Sequence, residues 1–125
     1  MGDLIRSMAL SARGMAAQSA RLGHTAENIA NADTPGYRRK TVAFRPDGAG
    51  GVVPGPVRLD PRPLQRVHDP GHPLADESGN YDGSNVDLVI EVADARAAQR
   101  SYDANLRLFD QARQMTRGLL DLLRR

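Results

Sequence analysis

Residues 28–38 read Asn28-Ile-Ala-Asn31-Ala-Asp-Thr34-Pro35-Gly36-Tyr37-Arg38, and this stretch decides the fold. Pro35 disfavours the α conformation at Thr34, so a helix arriving from upstream must end near Asn31. Pro35-Gly36 suits the centre of a type II turn, whose third position needs positive φ. Asn28 and Asn31, three apart, lie on one helix face. They can bond carbonyls left open at the helix end, or groups on a neighbour. Tyr37 is placed to anchor the exit.

Upstream, Asp3 to Ala32 reads as one long helix, rich in Ala and free of Pro. Met8, Met15, Leu22 and Ile29 recur every seven residues, and Ile5, Ala12, Ser19 and Ala26 fill the companion row. This is an a/d seam with large residues on one row and small ones on the other. Gly14 and Gly23 each cost about 1 kcal/mol relative to Ala, so the helix leans on its neighbours.

Downstream, Tyr37 to Arg45 reads as a strand with Val42 and Phe44 on one face. Pro46 to Pro56 reads as a loop. Val57 to Leu59 and Leu64 to His68 read as short extended pieces, confined to edges by their prolines. Asp69 to Asn85 is rich in turns. All eight prolines and eight of the twelve glycines fall between Asp33 and Asn85.

A second long helix is expected from Ser84 or Asn85, with Ser84 and Asp87 resembling a capping box. Its acids gather early (Asp87, Glu91, Asp94) and its arginines late (Arg113, Arg117, Arg124, Arg125), which suits the helix dipole. Asp103 with Arg107, and Asp121 with Arg125, have ion-pair spacing. The apolar stripe runs Leu88, Val92, Ala95, Tyr102, Leu106, Phe109. It then shifts at Arg113 to Ala112, Met115, Leu119 and Leu122, as a stutter would. The expected fold is α+β, mainly α. Residues 1–32 and 85–125 form a two-helix core, and 33–84 a turn-rich, partly β middle. Helices of about 44 and 57 Å are too long for so small a chain to bury alone.

The remaining chemistry is sparse. There is no Cys, which removes disulfides, thiolate metal sites and thiol nucleophiles. No apolar run reaches the roughly 20 residues needed to span a bilayer, so no membrane insertion is expected. Residues 1–10 lack the apolar core of a secretory signal. Net charge is +2, and 16 of 17 basic side chains are Arg, interspersed with acids. Arg38-Arg39-Lys40 is the one basic triplet. It could meet phosphate, but it reads as strand residues turned to water, and no nucleic-acid partner is expected. His68 and His72, with Asp69 and Asp76, could be drawn as a metal site. They lie in a turn-rich segment and read as loop histidines. Nucleophile-elbow and phosphate-loop motifs are absent. The expectation is no catalysis, no cofactor and no metal.

Taken whole, Asn28-x-x-Asn31-x-x-Thr34-Pro35-Gly36-Tyr37-Arg38 behind a heptad-patterned helix resembles the signature of the bacterial flagellar rod, hook and hook-associated proteins. His72-Pro-Leu-Ala-Asp76, Ser84-Asn-Val-Asp-Leu88 with Glu91, Arg100-Ser-Tyr-Asp-Ala-Asn105 and Gln114-Met115 are similar to segments of the family's proximal-rod members, two of which share such a helix start. The resemblance implies a structural subunit, exported through the flagellar type III apparatus without a cleaved signal. It implies assembly with other rod proteins and with copies of itself into a hollow periplasmic shaft that carries torque to the hook. It also implies that the terminal helices pair in a coiled-coil layer and that the middle segment faces outward.

On this reading Asn28, Asn31, Thr34, Pro35, Gly36 and Tyr37 set the helix exit. Met8, Met15, Leu22, Ile29, Leu88, Val92, Tyr102, Leu106, Phe109, Met115 and Leu119 serve helix and subunit packing. A self-contained helical regulator or export chaperone is the alternative from another class.

Overall fold

The computed structural model describes residues 1–124. Arg125, and with it the expected Asp121–Arg125 pair, lies outside the described residues. Two long helices enclose two small antiparallel hairpins in chain order: α1 (Gly2–Ala30), β1 (Lys40–Pro46), β2 (Val52–Leu59), β3 (Arg66–His68), β4 (Asn80–Asp82) and α2 (Leu88–Leu123). The mainly helical α+β plan is the expected one.

The helices run antiparallel. Gly14 sits against Asn105, Arg21 bonds Asp94, and Asn28 bonds Glu91. As one number rises, the other falls. Extrapolating that pairing sets the start of α1 opposite about residue 117, so the last turn or two of α2 projects beyond it.

The inward row of α1 differs from the expected one. Ser11, Gly14, Ala17, Thr25 and Asn28 are buried, whereas Ile5, Ala12, Ser19 and Ala26 face solvent. The row of small side chains wins because it lets the helices approach closely. Met8, Met15 and Leu22 are half-buried on one flank of that row, and Ile29 is exposed. On α2 the inward row is Glu91, Ala98, Asn105 and Ala112, with Tyr102 and Phe109 half-buried along it. Buried apolar side chains among the described residues are only Ala17, Val86, Ala98 and Ala112.

Between the helices, β1 pairs with β2 from Lys40↔Leu59 to Pro46↔Val52. Val52 to Pro56 is therefore strand, not the expected loop. Both strands of a two-stranded sheet are edges, so the N–H groups missing at Pro54 and Pro56 can fall on the open side. The register slips between Val42 and Phe44, where Gly55 lies so close to Ala43 that a Cβ would be 2.8 Å from its carbonyl oxygen. Strand β1 starts at Lys40 rather than Tyr37. Tyr37 to Arg39 are held instead by side chains described below.

The hairpin lies along α1. Its base is at Asn28, and its tip reaches Arg13, where Asp47 accepts from the guanidinium at 2.6 Å. Asp47 also accepts from the Ala49 and Gly51 amides, and these bonds, led by Ala49, hold its carboxyl below the usual range. The second hairpin pairs Arg66↔Asp82 through His68↔Asn80. Helix α2 begins at Leu88, later than expected, with Asp87 as N-cap accepting from the Val89 amide. Ser84 does not cap it, because its hydroxyl donates to the Ala32 carbonyl.

Candidate functional site

Two features could carry function: the helix exit and the outward faces of the helices. At the exit, the expected turn is present. Gly36 has φ of 76°, and the Tyr37 amide donates to the Thr34 carbonyl at 3.2 Å. Asn31 works locally. Its amide donates to the Glu27 carbonyl, and its side-chain oxygen accepts from the Thr34 hydroxyl. The Gly36 amide donates to the carbonyls of Asp82 and Gly83, which ties the turn to the segment entering α2.

Asn28 does more than end a helix. Its side-chain oxygen accepts from the Lys40 amide at 2.9 Å and the Tyr37 hydroxyl at 2.8 Å. Its side-chain nitrogen donates to the Lys40 carbonyl at 2.9 Å and the Glu91 carboxylate at 3.3 Å. The side chain thus pairs with Lys40 as a neighbouring strand's peptide group would. All four of its hydrogen-bonding positions are filled, as a buried amide requires. Burial, with the Glu27 and Glu91 charges, pushes the Tyr37 hydroxyl up.

Glu91 is fully buried on α2 and accepts from Arg39 as well as Asn28. Arg39 also pairs with Asp94 at 2.7 Å and stands 3.8 Å from Asp60. Its backbone amide donates to the Asn85 side chain, which in turn donates to the Asp60 and Arg62 carbonyls. Arg62 grips Asp60 through side chain and backbone, and these bonds, with Arg39 behind them, hold the Asp60 carboxyl low. One buried clasp therefore joins α1, the turn, β1, the 60–62 loop and α2. Burying these charges is tolerable only because each has partners.

The clasp corrects the reading of Arg38-Arg39-Lys40 as side chains turned to water. Arg39 points inward. Lys40 pairs with Glu27 at 2.6 Å, and Arg38 donates to the Asp60 and Arg62 carbonyls. Sequence reasoning gave Asp60 no role, read Arg39 as facing water and Asn85 as a helix start, and read Glu91 as a dipole charge. The only available signal was the pair of asparagines before the turn.

The histidines and Asp76 of the turn-rich segment have structural partners. The His72 ring stacks on Tyr81 at 3.9 Å, and His68 bonds Asn80. Asp76 accepts from the Asn80 and Ser78 amides and pairs with Arg66. Among the described residues, no group of three His, Cys, Asp or Glu could hold a metal ion. No described helix is long and apolar enough to cross a membrane. Asp103 takes Gln99 as its partner instead of Arg107.

The outward faces are apolar to an unusual degree. Leu88, Val89, Val92, Leu106, Met115, Leu119, Leu122 and Leu123 are all exposed, Val89 at 79%. At about 100° per residue, Leu88, Val92 and Leu106 share the flank of α2 opposite Asp94, away from the hairpin. Met8, Met15 and Leu22 occupy the matching flank of α1. Met115 and Leu119 lie on the other flank, which is why the stripe shifts near Arg113. The helix itself continues without a break.

These features agree with what the chain is similar to. Residues 8–38 match a family model described as flagella basal body rod protein, and residues 77–122 one described as flagellar basal body rod FlgEFG protein C-terminal. The flagellar basal-body rod protein FlgC of Agrobacterium fabrum is 41% identical, covering 99% of this chain and 98% of its own length. FlgC of Salmonella typhimurium is 35% identical over 95% of this chain and 97% of its own length, and that of Borreliella burgdorferi 30% over 96% and 97%. Similarity of that depth runs through both helices and both hairpins, and the chain belongs to the FlgC family of flagellar basal-body rod proteins.

Proposed function

We propose that the chain is a structural subunit of the proximal rod of the bacterial flagellar basal body. It assembles through its two long helices with other rod proteins and with copies of itself. The resulting shaft is hollow, crosses the periplasm and transmits torque from motor to hook. The subunit is delivered by the flagellar type III export apparatus without a cleaved signal, and it performs no catalysis. The observation that carries this reading is the row of large apolar side chains left in solvent along α2, joined by Ile5 and Ile29 at the two ends of α1. A monomer seldom exposes so continuous an apolar stripe unless it is an interface. The buried clasp supports it from the other side, since its charges are already consumed by one another.

The packing role of Met8, Met15, Leu22, Ile29, Leu88, Val92, Tyr102, Leu106, Phe109, Met115 and Leu119 belongs to the same proposal. Deleting the gene should abolish swimming and leave basal bodies without a complete rod. Complementation with Met15→Asp or Leu106→Asp should fail to restore either. Normal swimming by the deletion strain, or by those two variants, would refute the reading.

A further inference from the structure

Helices whose centre line is Ser, Gly and Ala have no large side chain on that line to record how far one has slid past the other. On the inward row of α2, Glu91, Ala98, Asn105 and Ala112 stand one heptad apart. A two-heptad slide would bring Ala112 to the place of Ala98 and so keep an alanine at the centre of the row. Glu91 and Asn105 allow no such slide. Moving α2 by one heptad would bring Ala98 to the clasp and strand the Arg39 guanidinium and the Asn28 amide. It would also carry Asn105 away from Gly14. That contact is selective too, because a Cβ on residue 14 would lie 2.6 Å from the Asn105 side-chain oxygen.

We propose that the Asn28–Arg39–Glu91 clasp and the Gly14–Asn105 contact form a two-point register lock. The two points are about 21 Å apart along α2. They act as positioning residues that fix how α1 lies on α2, and they are not the main source of the pair's stability. A buried ion pair seldom outperforms apolar side chains of the same size in net stability. A polar side chain at an inward helix position is an established way of selecting one register. The register in turn sets which exposed apolar side chains of α1 and α2 stand abreast. In that last respect the inference rests on the proposed rod function; the lock itself does not.

The chain has no cysteine, so two can be introduced at exposed Ala26 and Arg117, offset by about 36 Å along the helix axes, and spin-labelled in the free, full-length protein. The parent should give one narrow distance. R39M/E91M should keep its helix content and a thermal midpoint close to the parent's, yet show a second population displaced by about 10 Å, one heptad of rise. E91Q, which keeps the side chain's shape and one of the two acceptor oxygens used by Arg39 and Asn28, should retain the single distance. An unchanged single distance in R39M/E91M would overturn the lock. Collapse of its helix content would overturn it too, because the pair would then be glue and not a gauge. These distances are read on the isolated chain, so their failure leaves the rod reading standing, and the swimming tests are separate.

Discussion

The two ends of the helix pair are built on opposite principles. At the end where α1 exits, almost every buried group is polar and every polar group is answered: Asn28, Tyr37, Arg39, Asp60, Asn85 and Glu91 satisfy one another. At the other end, the start of α1 and the last turns of α2 carry Ile5, Met115, Leu119, Leu122 and Leu123 into solvent. The first end is complete within one chain. The second leaves its apolar side chains open. On the proposed function, the subunit keeps its shape with polar bonds, which demand exact geometry, and reserves its apolar surface for assembly, where area matters more than angle.

Substitutions can break or sharpen this contrast. The largest effect is expected from Glu91→Ala, which leaves Arg39 buried without its main partner; about 3–5 kcal/mol of stability should be lost in urea unfolding. A loss below about 1 kcal/mol would mean that the exit end does not hold the fold. Gly36→Ala, at φ of 76°, should cost about 1 kcal/mol through backbone strain alone, read as a lower midpoint with an unchanged urea slope. Midway along the seam, the Gln18 side-chain oxygen is the buried one without a hydrogen-bond partner among the described residues. Gln18→Met should raise stability by about 1 kcal/mol, and a fall would show that the amide is satisfied by water.

Acid should act selectively. Asp47 and Asp60 have carboxyls held low by the amides and guanidinium groups around them. Their contribution is therefore present above the ordinary carboxylate pKa of about 3.9 and is lost as pH falls through the lower folded value. The protection factors of the amides of residues 49, 51 and 62, corrected for the slower intrinsic exchange in acid, should fall once pH drops clearly below about 4, before the helices melt. Smallest of all, Leu119→Ser or Leu122→Ser should change the free chain's stability by no more than about 0.5 kcal/mol. On the proposed function, the same variants should still fail to restore swimming.

The helices and the turn between them could be read from the sequence because their signals are local. Absence of proline, apolar periodicity and Pro35-Gly36 all act within a few residues. The first part of strand β2, Val52 to Pro56, was hidden because Pro54 and Pro56 argue against a strand in any sheet that has a centre, and this sheet has none. The start of α2 was misplaced because Ser84 looks like a cap but spends its hydroxyl on Ala32, 52 residues earlier. The clasp was invisible for the same reason. Asn28 and Glu91 are 63 residues apart, and Arg39 and Glu91 are 52 apart. No local pattern distinguishes a guanidinium that turns inward from two neighbours that bond elsewhere. The seam was misphased because periodicity finds the large residues, whereas the helices close on the small ones.

The antiparallel pairing has a kinetic consequence. Gly14 meets Asn105 across 91 intervening steps of chain, so α1 has its hairpin but no partner helix until most of the polypeptide is present. Closing so long a loop is entropically costly and slow compared with forming a local helical hairpin. A chain appearing N-terminus first can wind α1 early, but it must keep the small-residue face open until Glu91 emerges and the Arg39 guanidinium finds it. Folding of this subunit is therefore a late event, triggered by the arrival of its C-terminal third.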